Sequence, residues 1–367
     1  MCPMYNHTNL ARTDLCTDSD WKKLIRVFQE QLFSAEKIVL IIFAVSTILG
    51  NALVLVVTWR ERSLHQPNKY FIVCLAVSDL LVGMILEPLR VYQLSLDYES
   101  RLTISVHLCR FLVWLDTCAL AASIYSLTFI SFDRFIKIKK PLQYRSRMTT
   151  SKSLKIIFII WLISTAFATY AATPHSGSRG ILLTSVGFCG HIDKKAMKNF
   201  YTFLAVTAFI LPTLVIVVMY ALIFVVVHKR QKMLRNGELG QTCNDRNQRN
   251  AFLQDLKIIR MLVVVVGVFI LCWGPYFIYI MLYHHDPNLI DWDSRSFRYS
   301  WRRIIITDLV ITRLPYLNSL CNPIIYACLD QTYREAFKNL FQRMMCRPSS
   351  RRRELPATIE LPPLRTR

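Results

Sequence analysis

The chain has 367 residues, 53% hydrophobic and 19% charged, with a formal net charge of +21. A mean hydropathy of +0.32 leaves too little charge for the water-facing surface of two or three soluble domains. It also excludes a disordered chain and a small disulfide-stapled secreted domain.

In chain order the apolar residues form seven blocks, roughly 38–59, 70–94, 109–132, 156–173, 200–227, 261–283 and 304–329. Each approaches the ~20 residues that one helix needs to cross a bilayer. None has the short alternating pattern of a barrel strand. The expected fold is therefore an all-α membrane protein, a seven-transmembrane helix bundle followed by a short amphipathic helix. Its expected parts are an extracellular N-terminal segment (1–36), the bundle (37–329), a membrane-surface helix (330–345) and a cytoplasmic tail (346–367).

The stretch from Met1 to Ala35 is polar and shows no cleavable signal, so the first block has to target the chain itself. An outside N-terminus puts about 27 basic residues in the inner loops and tail and about 16 in the outer segments, as the positive-inside rule requires. Lys137, Lys139 and Lys140 follow the third block, and Lys229, Arg230 and Lys232 follow the fifth. The sequon at Asn6 falls on the outer side and is a glycosylation candidate. After the seventh block, Phe337, Leu340 and Phe341 recur at helical spacing among basic residues, which suits a helix lying on the lipid surface. Cys346 at its end is either a palmitoylation site or a plain thiol. Facing anionic lipid, the net charge needs no nucleic acid to explain it.

Eleven cysteines are an odd number, so a complete disulfide framework is not expected. Cys109 opens the third block on the outer side and Cys189 lies in the outer loop before the fifth, where an oxidising environment allows a bridge between them. Cys2 and Cys16 are a second outer pair. No Cys/His spacing points to a metal site.

Ionisable residues inside spans are costly and therefore functional candidates. Asp79 lies in the second block and Asp116 in the third. Cys109, Asp116 and Ser123 are spaced by heptads and share a helical face, with Arg134 five turns beyond Asp116, about 27 Å lower. In the sixth block Phe269, Trp273, Tyr276 and Phe277 form one aromatic face beside Pro275, which is expected to kink the helix. A carboxylate facing aromatic rings suits an ammonium ligand held by cation–π contacts of about 0.5–2 kcal/mol each. The plain alternatives are an interhelical hydrogen bond at Asp116 and an aromatic core stripe.

Taken in order, Gly50-Asn51, Leu75-Ala-Val-Ser-Asp79, Cys109, Asp133-Arg134-Phe135, Trp161, Pro212 with Tyr220, Cys272-Trp273-Gly-Pro275 and Asn322-Pro323-Ile-Ile-Tyr326 resemble a rhodopsin-like (class A) G protein-coupled receptor over roughly residues 36–345. Phe135 replaces the family's usual Tyr. Asp116 and Tyr316 match the pair that holds a ligand ammonium in amine receptors. Ile130–Phe135 and the following Lys-Pro-Leu-Gln-Tyr-Arg run are similar to muscarinic receptors, and Trp273–Phe277 to histamine receptors, so the match is to the aminergic group.

The resemblance implies a ligand site at Asp116, Thr117, Trp273, Tyr276, Phe277 and Tyr316. It implies an allosteric Na+ pocket at Asp79, Ser123, Asn318, Ser319 and Asn322, for which a polar water network is the alternative. It implies an activation switch at Asp133, Arg134, Asp255, Tyr220, Phe269 and Tyr326, with a heterotrimeric G protein and arrestin as partners and the plasma membrane as location. Leu204, Ala205 and Ala208 stand where catecholamine receptors carry serines, and Phe277 where muscarinic receptors carry Asn. Tyr316 occupies the position of the retinal-bearing Lys, which excludes an opsin. Arg313 stands where many amine receptors have Trp, and either Asp116 or Glu87 would be its partner.

No nucleophile–base set and no phosphate-cradling loop is visible, so an enzyme is not expected. The leading reading is a receptor for a small biogenic amine. The alternatives are a same-fold receptor for a peptide or carboxylate, motivated by Arg295, Arg298, Arg302, Arg303 and Arg313, and a constitutively active receptor without a dedicated ligand. A transporter or channel loses support for want of internal repeats.

Overall fold

The computed structural model describes residues 18–67, 69–96, 105–140, 143, 144, 146, 148–178, 180, 193–235, 243–286 and 295–345, with the side chains of 18–22, 63, 230, 231, 234, 235, 243–258, 295–300 and 344 outside that description. Among these residues seven helices are long and apolar enough to cross a membrane. They are α1 (Asp18–Arg60), α2 (Lys69–Ser95), α3 (Val106–Lys139), α4 (Thr150–Ala172), α5 (Lys194 to Arg235), α6 (Cys243–His285) and α7 (Arg295–Leu329). The short helix α8 (Gln331–Met345) follows after one residue. Single π-turns interrupt α2 at Val82–Leu86 and α5 at Ala205–Ile210.

The pattern along α1 shows what the solvent is. Ile38, Ile41, Ile42, Val45, Leu49 and Val56 are exposed along one stripe, while Leu40, Ala44, Thr47, Asn51, Val54 and Thr58 are buried on the other. The exposed stripe is the more apolar of the two, as lipid demands. With apolar side chains equally content on either side, helices associate through close packing and interhelical hydrogen bonds. Trp114 Nε1 donates to Thr169 Oγ1 between α3 and α4 at 3.2 Å, and Cys74 Sγ meets Ser126 Oγ between α2 and α3 at 3.2 Å. The helix α3 stands at the centre: 78% of its spanning window is buried against 22–28% for α1, α4, α5 and α7. Cys109, Asp116, Ser123 and Arg134 are indeed all buried, but so is most of the circumference around them.

Close approach and prolines are solved together between α1 and α7. Pro323 has no N–H, which deprives the carbonyl four residues earlier, that of Ser319, of its helical partner. Asn51 Nδ2 supplies the missing donor at 3.1 Å and also bonds Thr47 O at 3.0 Å. The neighbouring Gly50 makes room, since a Cβ there would meet Pro323 Cβ and Cγ at 3.0 Å.

At the end of the bundle that carries Arg134, Asp330 joins three elements. Its Oδ1 caps α8 by accepting from Thr332 N and Tyr333 N at 2.9 and 3.2 Å. Its Oδ2 accepts from Lys69 Nζ of α2 in a buried ion pair. Tyr333 completes the joint, with its hydroxyl 2.9 Å from Thr58 Oγ1 and its ring 4.7 Å from Lys69 Nζ. In α8, Tyr333, Ala336 and Leu340 pack inward while Phe341 and Met345 stay exposed.

Two helices are longer than the apolar blocks predict. α1 begins at Asp18, not near 37, and α7 begins at Arg295, not near Ile304. Hydropathy marks only the lipid-spanning part. The extensions pack on one another, with Phe28 edge-on to Trp301 at 5.0 Å and the Arg302 guanidinium 5.4 Å from the Phe28 ring.

Replacing Asp330 by Asn keeps the cap but strands the Lys69 cation. The variant is expected to lose about 3–5 kcal/mol, read as a lower unfolding temperature in detergent. Lys69→Met in the same chain is expected to restore most of the loss.

Candidate functional site

Asp116 and Thr117 are fully buried on α3, facing the middle of one end of the bundle. Trp273, Tyr276 and Phe277 of α6 and Tyr316 of α7 are buried there as well. Tyr276 and Tyr316 both lie within electrostatic reach of the Asp116 carboxylate. The α6 rings touch one another: Trp273 to Tyr276 at 5.9 Å edge-on, and Tyr276 to Phe277 at 5.5 Å. The structure therefore gathers a carboxylate, two phenols, an indole and a phenyl ring into one chamber. Phe209 of α5, missed in the sequence, stacks on Phe277 at 4.8 Å and also contacts Phe269 at 6.0 Å. Its helical register to Ala205 and Ala208 was the available signal.

The α5 wall is apolar. Leu204, Ala205 and Ala208 are fully buried, and the nearby Thr207 hydroxyl turns back to Phe203 O at 2.7 Å. Cys109 is disulfide-bonded, while Cys189 lies outside the described residues. Cys2, Cys16, Asn6 and Cys346 lie outside them too.

Beside the chamber is a charged cluster that the sequence did not reveal. Arg313 has a partner that neither expectation named: Glu36 Oε1 accepts from Arg313 Nε at 2.6 Å and from Arg90 Nε at 3.2 Å. Glu36 precedes the first apolar block by two residues, so a hydropathy reading assigns it to the flanking segment. Arg90, in contrast, stood inside a block and was an overlooked intramembrane charge.

Farther along the bundle, Asn322 Nδ2 donates to Asp79 Oδ2 at 2.8 Å. Ser319 lies beside the same carboxylate. Ser123, Asn318, Ser319 and Asn322 are all buried, and Ser123 Oγ, Asn318 Oδ1 and Asn322 Oδ1 are oxygens without a hydrogen-bond partner among the described residues. Of the residues expected here, Asn322 and Ser319 are thus placed at the Asp79 carboxylate.

At the far end Arg134 is buried and pairs with Asp133 at 3.6 Å, while Tyr144 OH donates to Asp133 Oδ1 at 2.8 Å. Tyr220 lies beside Ser131 and within reach of the Arg134 charge. Tyr326 is buried and stacked on Tyr333 at 5.8 Å. Asp255 is in α6, but its side chain is outside the described ones.

Residues 50–326 match the family of 7 transmembrane receptors (rhodopsin family). The chain is 28% identical to trace amine-associated receptor 5 of Rattus norvegicus over 84% of its own length and 85% of that protein's. It is 27% identical to neuromedin-U receptor 1 of Mus musculus, covering 81% and 70% of the two chains. It is 28% identical to the alpha-1A adrenergic receptor of Homo sapiens, covering 88% and 70%.

The Asn51 bridge gives a stability test of this layer. Asn51→Ala is expected to cost about 0.6–2 kcal/mol, the range for interhelical hydrogen bonds in lipid. Thermal unfolding of the detergent-solubilised protein measures it.

Proposed function

The chain belongs to the rhodopsin family of seven-transmembrane receptors, and on that premise we propose that its ligand is a small cationic amine bound at Asp116. It is a multi-pass membrane receptor and not an enzyme, and the family acts through a G protein. The observation that supports an amine is the fully buried Asp116 carboxylate within reach of Tyr276 and Tyr316. In such a low-dielectric place a carboxylate gains most from a cation, and the Trp273 and Phe277 rings offer cation–π faces to the same charge.

Relatives named for trace amines and for adrenergic ligands agree with this reading. The neuromedin-U receptor is as similar in identity, so the local chemistry decides. A wall of Leu204, Ala205 and Ala208 offers a catechol no hydroxyl partner, which favours an amine with an apolar body. A carboxylate or peptide ligand is the second reading, motivated by Arg90 and Arg313. Their commitment to Glu36 weakens it.

In this reading the N-terminus is extracellular, so that Lys137, Lys139 and Lys140 meet the cytoplasmic leaflet. The ligand biases a two-state equilibrium by binding one state more tightly. At the inner end, release of Arg134 from Asp133 and Asp255 opens a cleft for the G protein, into which Tyr220 and Tyr326 move. Phe269, packed on Phe209, carries displacement from the chamber towards that end. The oxygens of Asp79, Ser123, Asn318, Ser319 and Asn322 are the hard donors that Na+ takes, and those without partners suit such an ion.

Asp116→Asn is expected to lower the potency of phenethylamine, tyramine, tryptamine and histamine by at least about a hundredfold, read as cAMP and calcium responses at equal surface expression. Responses that survive the change would sink the amine reading. Separately, replacing external Na+ by a bulky organic cation is expected to raise agonist affinity in the wild type. In Asp79→Asn the same exchange is expected to have no effect.

A further inference from the structure

We infer that Glu87 is a second carboxylate of the ligand chamber and takes a second cationic group of the ligand. The matching ligand class is an amine with two positive ends on an apolar spacer, of which an α,ω-diamine is the simplest. The inference rests on the amine reading above, in which Asp116 takes one ammonium. The Glu87 side chain is fully buried in α2, and neither of its carboxylate oxygens has a hydrogen-bond partner among the described residues. Burial without a partner is costly for a carboxyl group in either form, since a neutral acid still needs an acceptor for its proton. The cation nearest in sequence on α2, Arg90, donates through Nε to Glu36 instead. A buried carboxyl group left in this state within a span is a functional candidate.

The π-turn at Val82–Leu86 aims this side chain. The Glu87 N–H itself closes that turn on Val82 O. In an unbroken α-helix a residue eight positions beyond Asp79 would point about 80° away from it. The π-turn absorbs about one residue, which returns Glu87 to within about 20° of the Asp79 direction and some two turns, about 11 Å, nearer the chamber. On α7, Tyr316 stands six residues before Asn322, the partner of Asp79, and hence about 9 Å from that layer in the same direction. Glu87 and Tyr316 are therefore at one level. The Tyr316 phenol lies within electrostatic reach of both Glu87 and Asp116, and Glu87 lies within reach of Asp79. On the other side α1 packs against the π-turn at Gly83, where a Cβ would meet Thr47 Cγ2 at 3.0 Å. A ligand with a cation at each end would give Glu87 the partner that it lacks, and its methylenes suit the apolar wall of Leu204, Ala205 and Ala208. Na+ is the other source of positive charge, and the test separates the two.

The test uses full-length receptor at matched surface expression. The probes are putrescine, cadaverine, hexamethylenediamine and heptamethylenediamine, each against the alkyl monoamine of the same chain length, with phenethylamine beside them. In the wild type the best diamine is expected to exceed its monoamine by at least about tenfold in potency. Glu87→Gln is expected to remove that advantage while leaving phenethylamine within about threefold, a split that damaged packing would not give. Glu87→Asp keeps the charge but withdraws it by one methylene, so the preferred diamine is expected to become one carbon longer. An unmoved optimum in Glu87→Asp overturns the inference, as does an equal loss for diamines and phenethylamine in Glu87→Gln. So does a wild type that answers phenethylamine but shows no diamine advantage, which decides the matter even if Glu87→Gln fails to reach the surface. A phenethylamine response that loses its dependence on external Na+ in Glu87→Gln, with no diamine advantage in the wild type, would assign the carboxylate to the inorganic ion instead. All of these leave the amine reading standing. If neither diamines nor monoamines activate the wild type, both readings fall together.

Discussion

The bond from Asn51 to the carbonyl of Ser319 is the interaction on which the arrangement of the bundle turns. A bilayer core has no water to satisfy a backbone group, so a proline inside a spanning helix needs a donor from elsewhere. Pro323 creates the vacancy, Asn51 fills it, and Gly50 lets the two helices come close enough for it to do so. This fixes α7 against α1 at the level of Asp79. From there the Asn322 amide reaches Asp79 on α2, and the polar layer is closed on three helices.

That join matters because α7 carries part of every functional layer. Tyr316 belongs to the aromatic chamber, Ser319 and Asn322 to the layer around Asp79, and Tyr326 to the far end, within a single helix that also contains Pro315. A small rotation of such a helix reaches all three layers at once. α3 has the same reach through Asp116, Ser123 and Arg134, but it is enclosed by the bundle on most sides and has less freedom to move. The physical division is a fixed central post and a proline-weakened neighbour, which is the kind of bistable element that a ligand is able to bias.

Much of this was legible in the sequence because lipid imposes few options. Block length gave the spans, heptad spacing put Cys109, Asp116 and Ser123 on one face, and five whole turns put Arg134 below Asp116. The order of short motifs identified the family. What escaped had physical reasons. The helical extensions at Asp18 and Arg295 lie beyond the apolar blocks, and Phe28 against Trp301 joins opposite ends of the chain. Lys69 and Asp330 are 261 residues apart, so nothing local announces their pairing. Heptad spacing also claimed more than it delivered on α3, since a helix buried nearly all round presents no distinguishing face.

The sharpest lesson concerns Arg313. Read along the chain, an arginine one turn from Tyr316 argues against an amine site, because its obvious partner is Asp116. The sequence offers no way to weigh Glu36 in that competition, for it stands 277 positions away. In the fold Glu36 enters as a partner: its Oε1 accepts from Arg313 Nε and from Arg90 Nε, which ties α1, α2 and α7 together. A buried charge is judged by the whole network it belongs to, and this network joins three helices whose members stand far apart in the chain.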